Sequence, residues 1–288
     1  MTPIFRILVP VDFSDRCLGM MPYVAAIARR YNSEVTLLHV TNPLYALPAA
    51  GISEPVLIPV PQGLMAKRKN QLENLAAAEM RGISTKCCVY EGDPELQIAA
   101  CSEDMQLVVM PTHGYGLVRR FLLGSVTAKV LNDVKCPVLT GAHLEEQEPR
   151  GKVTLSNIVC AVDLNPHSRD ILVSAANLAH DFNANLSLIH VVPPVNPGLY
   201  VSFSSRIKRE MDQMAREDVE KLKAEAKVNK ASICIREGDI AKEVCCFTHS
   251  IGADLLVIGR GPHDVAGGRL RSNAYAIIRQ ASCPVLSV

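Results

Sequence analysis

The sequence predicts two tandem α/β domains, each a doubly wound five-stranded parallel sheet. Three observations lead there. First, the chain repeats itself: Ile7–Ser14 returns as Ile158–Asn165, Leu37–Val40 as Leu188–Val191, Glu91–Asp93 as Glu237–Asp239, and Cys136–Leu139 as Cys283–Leu286. From Asp12, His39, Gly92 and Cys136 the copies lie 151, 151, 146 and 147 residues away. A near-constant offset of this size marks duplication of a whole domain with altered loops, not a solenoid repeat. Second, short apolar runs alternate with stretches of helical periodicity, which is the signature of βα units. Third, those runs are continuously apolar, as strands covered on both faces should be.

In the first domain (1–144) the expected strands are Arg6–Val11, Glu34–Val40, Ser84–Tyr90, Leu107–Met110 and Pro137–Thr140. Cys17, Met20, Val24, Ile27 and Tyr31 form one helical stripe, and Leu64, Leu72, Leu75 and Ala76 a weaker second one. Asp93-Pro94-Glu95 reads as a helix start, with Asp as cap, Pro at the first position and an acid in the first turn. Ser125 opens the last helix, which runs to about Asn132. The second domain (153–288) repeats the pattern with strands at Asn157–Val162, Asn185–Val191, Ala231–Arg236, Asp254–Gly259 and Pro284–Val288. A polar linker, His143–Thr154, separates the two. Right-handed crossovers then put helices on both sheet faces. The long segments Asn42–Gly63 and Pro193–Ser205 follow the second strand of each copy and fall at the ligand-binding carboxyl edge.

Composition excludes several classes. Hydrophobic residues make up 48% and charged residues 20%, which suits a globular chain. A net charge of +1, no long basic run and no Trp argue against nucleic acid as a partner. No apolar stretch approaches the ~20 residues of a membrane span, so no membrane partner is expected. Met1–Arg6 leads straight into a strand, which leaves no secretory leader and predicts a cytoplasmic protein. The ten cysteines are scattered through apolar runs without a C-x-x-C pair, as small buried hydrophobes in a reducing compartment would be.

Chemistry concentrates in Met110-Pro111-Thr112-His113-Gly114, followed after nine residues by Gly124-Ser125-Val126-Thr127. A strand ends, a glycine lets backbone pass close to a ligand, and a second glycine opens a helix whose free N–H groups face the same crevice. This is a phosphate cradle built without lysine, and it is not a Walker loop. Asp12, just past the central strand, can accept from a ribose hydroxyl or an adenine amine; alternatively it caps the helix beginning near Ser14. His39 and His190 read as core histidines, while His113 lies in the loop, within reach of a terminal phosphate. No catalytic triad, metal-ligand helix or carboxylate pair is apparent.

With those residues in view, the chain resembles the universal stress protein family in its tandem-domain form, over nearly all 288 residues. The carriers are Ile7–Ser14, Leu38–Val40, Gly92–Pro94, Gly114 with Gly124-Ser125, and Cys136–Leu139. The ATP-binding branch carries G-x-x-G-x9-G-[ST]; here Pro111 replaces the first glycine, while Gly114, Gly124 and Ser125 match. The resemblance implies an ATP site, or one for AMP or ADP, with Mg²⁺ as an accompanying ion. Val11, Asp12 and Val40 would hold the adenosine; Gly114, Gly124, Ser125, Val126 and Thr127 would hold the phosphates, with His113 added by its place in the loop. It also implies a regulatory role in the stress response and pairing of the last strands into an intramolecular pseudo-dimer, with a homodimer of chains as a further step and no protein partner named. A slow ATPase and a ligand-free interaction module are the alternatives.

The second copy departs further. The candidates there are Asp163, Val191, Gly259, Arg260, Gly261, Arg271, Ser272 and Asn273, with Arg271 standing where the first copy has Gly124. Two outcomes are open. The cluster of Arg260, Arg269 and Arg271 grips an anion differently, or it plugs a degenerate site and pairs with local acids such as Asp264.

Overall fold

The structure is a computed structural model that describes residues 4–46, 56–58, 60–113, 123–141, 153–194, 204–261 and 272–288. In the first half the elements run β1 (Arg6–Pro10), α1 (Asp15–Gly19), α2 (Met21–Tyr31), β2 (Glu34–Thr41), β3 (Leu44–Ala46), β4 (Val56–Ile58), α3 (Gln62–Glu79), β5 (Thr85–Glu91), α4 (Pro94–Ser102), β6 (Leu107–Pro111), α5 (Ser125–Asp133) and β7 (Val138–Gly141). The second half gives β8 (Asn157–Ala161), α6 (Ser168–Phe182), β9 (Asn185–Val192), α7 (Ser204–Ala226), β10 (Ser232–Glu237), α8 (Ile240–Ser250), β11 (Leu255–Ile258), α9 (Ser272–Gln280) and β12 (Val285–Ser287).

One ten-stranded sheet runs through both halves in the order β10-β9-β8-β11-β12-β7-β6-β1-β2-β5. Within this sheet every pairing inside a half is parallel. At the centre β7 and β12 pair antiparallel, Leu139 opposite Leu286 and Thr140 opposite Val285. The expected pseudo-dimer is therefore present, and each half covers the edge strand that the other would leave open. The strand order reverses between β1 and β6, and again between β8 and β11, which defines two switch points.

Period-two alternation explains the layers. Ile7 and Val9 of β1 join one buried cluster with Val24, Ile27 and Leu72 from α2 and α3, while Leu8 joins a second with Ile98, Val130 and Leu131 from α4 and α5. Successive side chains of a strand point to opposite faces, so a strand packed on both faces must be apolar throughout. The edge strands β5 and β10 are only half-buried, and the continuous-run argument is weakest there.

Two expectations are corrected. The Cys17–Tyr31 stripe is not one helix: α1 ends at Gly19 and α2 restarts at Met21, because Pro22 supplies no N–H and sits in the first turn of α2. The Asn42–Gly63 segment also holds the β3–β4 hairpin. Most of its counterpart and most of the linker fall outside the described residues. Asn32 and Asn183 close α2 and α6 in the left-handed conformation, a matched pair of caps.

All ten cysteines are thiols outside any disulfide; Cys17, Cys160 and Cys283 are buried, Cys246 is exposed, and the rest lie between. Burial pushes the Cys17 and Cys160 thiols from the ordinary 9.0 up to about 12. A folded pKa raised in this way favours the protonated thiol, so its stabilising share is complete below pH 9 and is lost as pH climbs toward 12. The melting temperature, measured in reductant, should stay level to about pH 9 and then fall. Cys160→Ala should make that alkaline fall shallower; an unchanged slope would show that the buried thiol is not its source.

Candidate functional site

The first switch point opens a cavity of about 480 Å³, which fits a ligand of nucleotide size. Its walls include Val11, Asp12, Val40, His113, Gly124, Ser125, Val126 and Thr127. Eight of the nine nominated residues thus meet around one space, and Gly114 lies outside the described residues.

The turn after β1 carries an outlier. Phe13, a bulky residue, holds φ +62°, and its equivalent Leu164 holds +58°. Side chains with a Cβ pay about 1–3 kcal/mol for such backbone, and residues of this kind cluster at ligand clamps. The reversal brings Asp12 Oδ1 to the Ser14 N–H (3.0 Å) and hydroxyl (2.7 Å). Ser14 in turn caps α1 through the Cys17 N–H. The two readings of Asp12 are compatible, since the carboxylate braces the helix cap and also lines the cavity.

His39 forms the neighbouring wall. Its Nδ1 is 2.7 Å from the Val11 carbonyl, an acceptor only, so that nitrogen carries the proton. Burial holds the ring below its usual 6.5, partly offset by that hydrogen bond. His190 repeats the contact with Val162 at 2.8 Å. His39 is buried as expected, whereas His190 is only half-buried, and both line the cavities. Sequence reasoning missed this wall, and with it Pro94 and Ile98 of α4. The Asp93-Pro94 helix start was the available signal: Asp93 accepts from the Glu95 and Leu96 N–H groups and aims α4 at the carboxyl edge.

The helix α5 begins with no side-chain cap. The first intrahelical bond is Ala128 N–H to Gly124 O, so the Ser125, Val126 and Thr127 N–H groups have no partner within the helix. The Thr127 hydroxyl is buried and donates to the Pro111 carbonyl at 3.1 Å. Pro111, an accepting end of β6, therefore pins the first turn of α5. Any ligand contact by Thr127 falls to its backbone.

The second switch point opens a larger cavity, about 640 Å³, lined by Asp163, Val191, Gly259, Gly261 and Asn273 among others. Asp163 is more heavily engaged than Asp12: Oδ1 accepts from the Asn165 N–H and the Ser168 hydroxyl, and Oδ2 from the Asn165 amide. Ser272 is the first residue of α9. Arg269 and Arg271, with Asp264, lie outside the described residues. Arg260 is a correction. Its guanidinium leaves the cavity, crosses the seam and donates to three carbonyls of the first half. The cause is positional: Gly259 and Gly261 line the cavity on either side, and the residue between them is fully buried on the seam.

Among the described residues no three His, Cys, Asp or Glu side chains gather to hold a metal, and no helix is long and apolar enough to cross a membrane. The architecture is that of a tandem doubly wound protein with a cavity at each switch point. The profile of the Universal stress protein family matches residues 3–140 and again 154–288, and the chain belongs to that family. A universal stress protein of Methanocaldococcus jannaschii is 33% identical over 142 residues, covering 46% of this chain and 79% of its own length. Universal stress protein A homolog 1 of Coxiella burnetii is 29% identical over 136 residues, covering 46% of this chain and 94% of its own. Over the whole chain, the crystal structure of a universal stress protein from Archaeoglobus fulgidus superposes with a TM-score of 0.67 at 20% identity, covering 98% of this chain and 95% of that one. That likeness supports the fold.

Proposed function

We propose that the first half binds an adenine nucleotide, ATP ahead of ADP or AMP, and that the chain acts as a nucleotide-binding regulatory protein of the stress response. One observation carries this reading: the uncapped N-terminus of α5 and the Asp12 carboxylate line the same cavity. A ligand that is anionic at one end and rich in hydroxyl or amine donors at the other is complementary to both. Val11, Val40 and Ile98 supply apolar wall for a base between them. Ser125, Val126 and Thr127 would meet phosphate oxygens through their N–H groups. The residues fit the group, because Gly124 puts no side chain where the phosphates would lie.

The second half is a divergent cleft in this reading. Asp163 has both oxygens engaged, and Arg260 is turned away from the cavity. Calorimetric titration of ATP into the full chain should give one site per chain. Two equivalent sites would overturn the asymmetry, and no heat or displacement at millimolar ATP would overturn the nucleotide reading itself.

A further inference from the structure

Arg260, two residues past β11, takes the place that Thr112 holds directly after β6. Their N–H groups donate alike, to Val288 O at 3.1 Å and Gly141 O at 3.2 Å. The side chains then diverge. Thr112 turns its hydroxyl back to Gly141 O at 3.3 Å, whereas Arg260 reaches into the other half. Its Nη1 donates to Leu131 O (3.1 Å) and Val134 O (3.2 Å), and Nη2 to Cys136 O (2.7 Å). Leu131 lies in the last turn of α5, Val134 is its C-cap, and Cys136 stands on the turn into β7.

The chemistry of that helix end accounts for the contact. The last carbonyls of a helix lack intrahelical donors and carry the negative end of its dipole. A guanidinium satisfies several of them at once with a rigid fork, and those bonds in turn make its own burial tolerable. The same α5 presents the Ser125, Val126 and Thr127 N–H groups at its other end. It is nine residues long, roughly 13 Å, and so short a helix moves as a rod. Where its C-terminal end is fixed, the direction of its N-terminal end is fixed too.

We propose that Arg260 is a positioning residue for the phosphate cradle, so that the second half of the chain sets the cradle of the first. The ligand in this inference rests on the nucleotide reading above; the geometry does not. Thr112 is too short to return the contact to α9, which makes the arrangement one-directional.

The test uses the full chain with Arg260→Lys, Arg260→Met and, as a seam control, Tyr31→Phe, which removes the Tyr31–Asp181 hydrogen bond between the halves. Two quantities are read: deuterium exchange of residues 125–133 without ligand, and ATP affinity by calorimetry. Arg260→Met should speed exchange across α5 about tenfold and weaken ATP at least fivefold, roughly the low end of measured site couplings. Arg260→Lys, a cation without the fork, should fall between; Tyr31→Phe should lower the melting temperature and leave both readouts alone. Folded Arg260 variants with wild-type α5 exchange and wild-type ATP affinity would overturn the proposal, as would Tyr31→Phe weakening ATP equally. If the wild-type chain takes up no ATP, the nucleotide reading fails, and α5 exchange alone still decides the positioning role. If Arg260→Met does not fold, Arg260→Lys carries the decision.

Discussion

Gly124→Arg should abolish ATP binding while leaving the chain folded. The fold tolerates a side chain there. Gly124 has φ −61° and ψ 147°, a conformation that any residue adopts. An added Cβ would meet Thr112 O at 3.4 Å, His113 Cα at 3.6 Å and Thr127 Oγ1 at 3.8 Å, which are ordinary contacts. Among the described residues nothing in the protein's own backbone requires this glycine, and its open face leaves room for what approaches from outside. Two effects of arginine oppose each other. Its charge attracts phosphate, but its stem fills the space through which phosphate oxygens reach the Ser125–Thr127 N–H groups. Exclusion should win, because three aligned backbone donors at a helix start are lost and one mobile guanidinium replaces them. We expect affinity to fall at least a hundredfold, about 2.8 kcal/mol. Gly124→Ala should bind within a few fold of wild type, since a methyl group at this site stays within the observed contacts. Titration with parallel circular dichroism separates lost binding from lost folding. Unchanged affinity in Gly124→Arg would remove the phosphates from this end of α5.

What the sequence disclosed and what it hid divide along a physical line. Duplication, strand runs and the Asp93-Pro94 helix start are local signals, and local signals set element identity. The break between α1 and α2 was also local, since Pro22 is visible in the sequence, yet the apolar stripe continues through it and masks the stop. The β3–β4 hairpin has no such excuse in periodicity: its two strands are three residues each, too short to show any. The nominated residues of the first half came together because a parallel sheet delivers the ends of β1, β2 and β6 to one edge. Arg260 was misplaced for the opposite reason. Its partners, Leu131, Val134 and Cys136, are about 125 residues earlier and are backbone carbonyls, which leave no trace in side-chain pattern. Only the pairing of β7 with β12 brings them within reach, and an arginine beside two glycines at a cleft reads as an anion ligand until that pairing is known.

The same pairing supports the second large effect: Leu139→Asp should cost about 4 kcal/mol or more, enough to threaten the fold. Leu139 is 1% exposed and stands opposite Leu286, which is 3% exposed. Both belong to a buried cluster that also contains Val109 from the first half and Val257 from the second. Removing the leucine forfeits roughly 1.5–3 kcal/mol of burial. Placing a carboxylate there adds a desolvation cost of several kcal/mol, unless the group takes up a proton, because the position is buried in an apolar cluster. Whole-domain stabilities are about 5–15 kcal/mol, so the change removes a large fraction of the total. Leu286→Asp should behave alike, since the two positions share one environment across the seam. Leu96→Asp, the same substitution at a side chain 68% exposed, should shift stability by no more than about 0.5 kcal/mol. Guanidinium denaturation followed by circular dichroism measures all three. If the seam is structural, the two seam variants lose midpoint together and far more than the control. A Leu286→Asp midpoint matching that of Leu96→Asp would mean that the halves do not depend on the β7–β12 ladder, and the one-directional hold of Arg260 on α5 would lose the contact that brings it there.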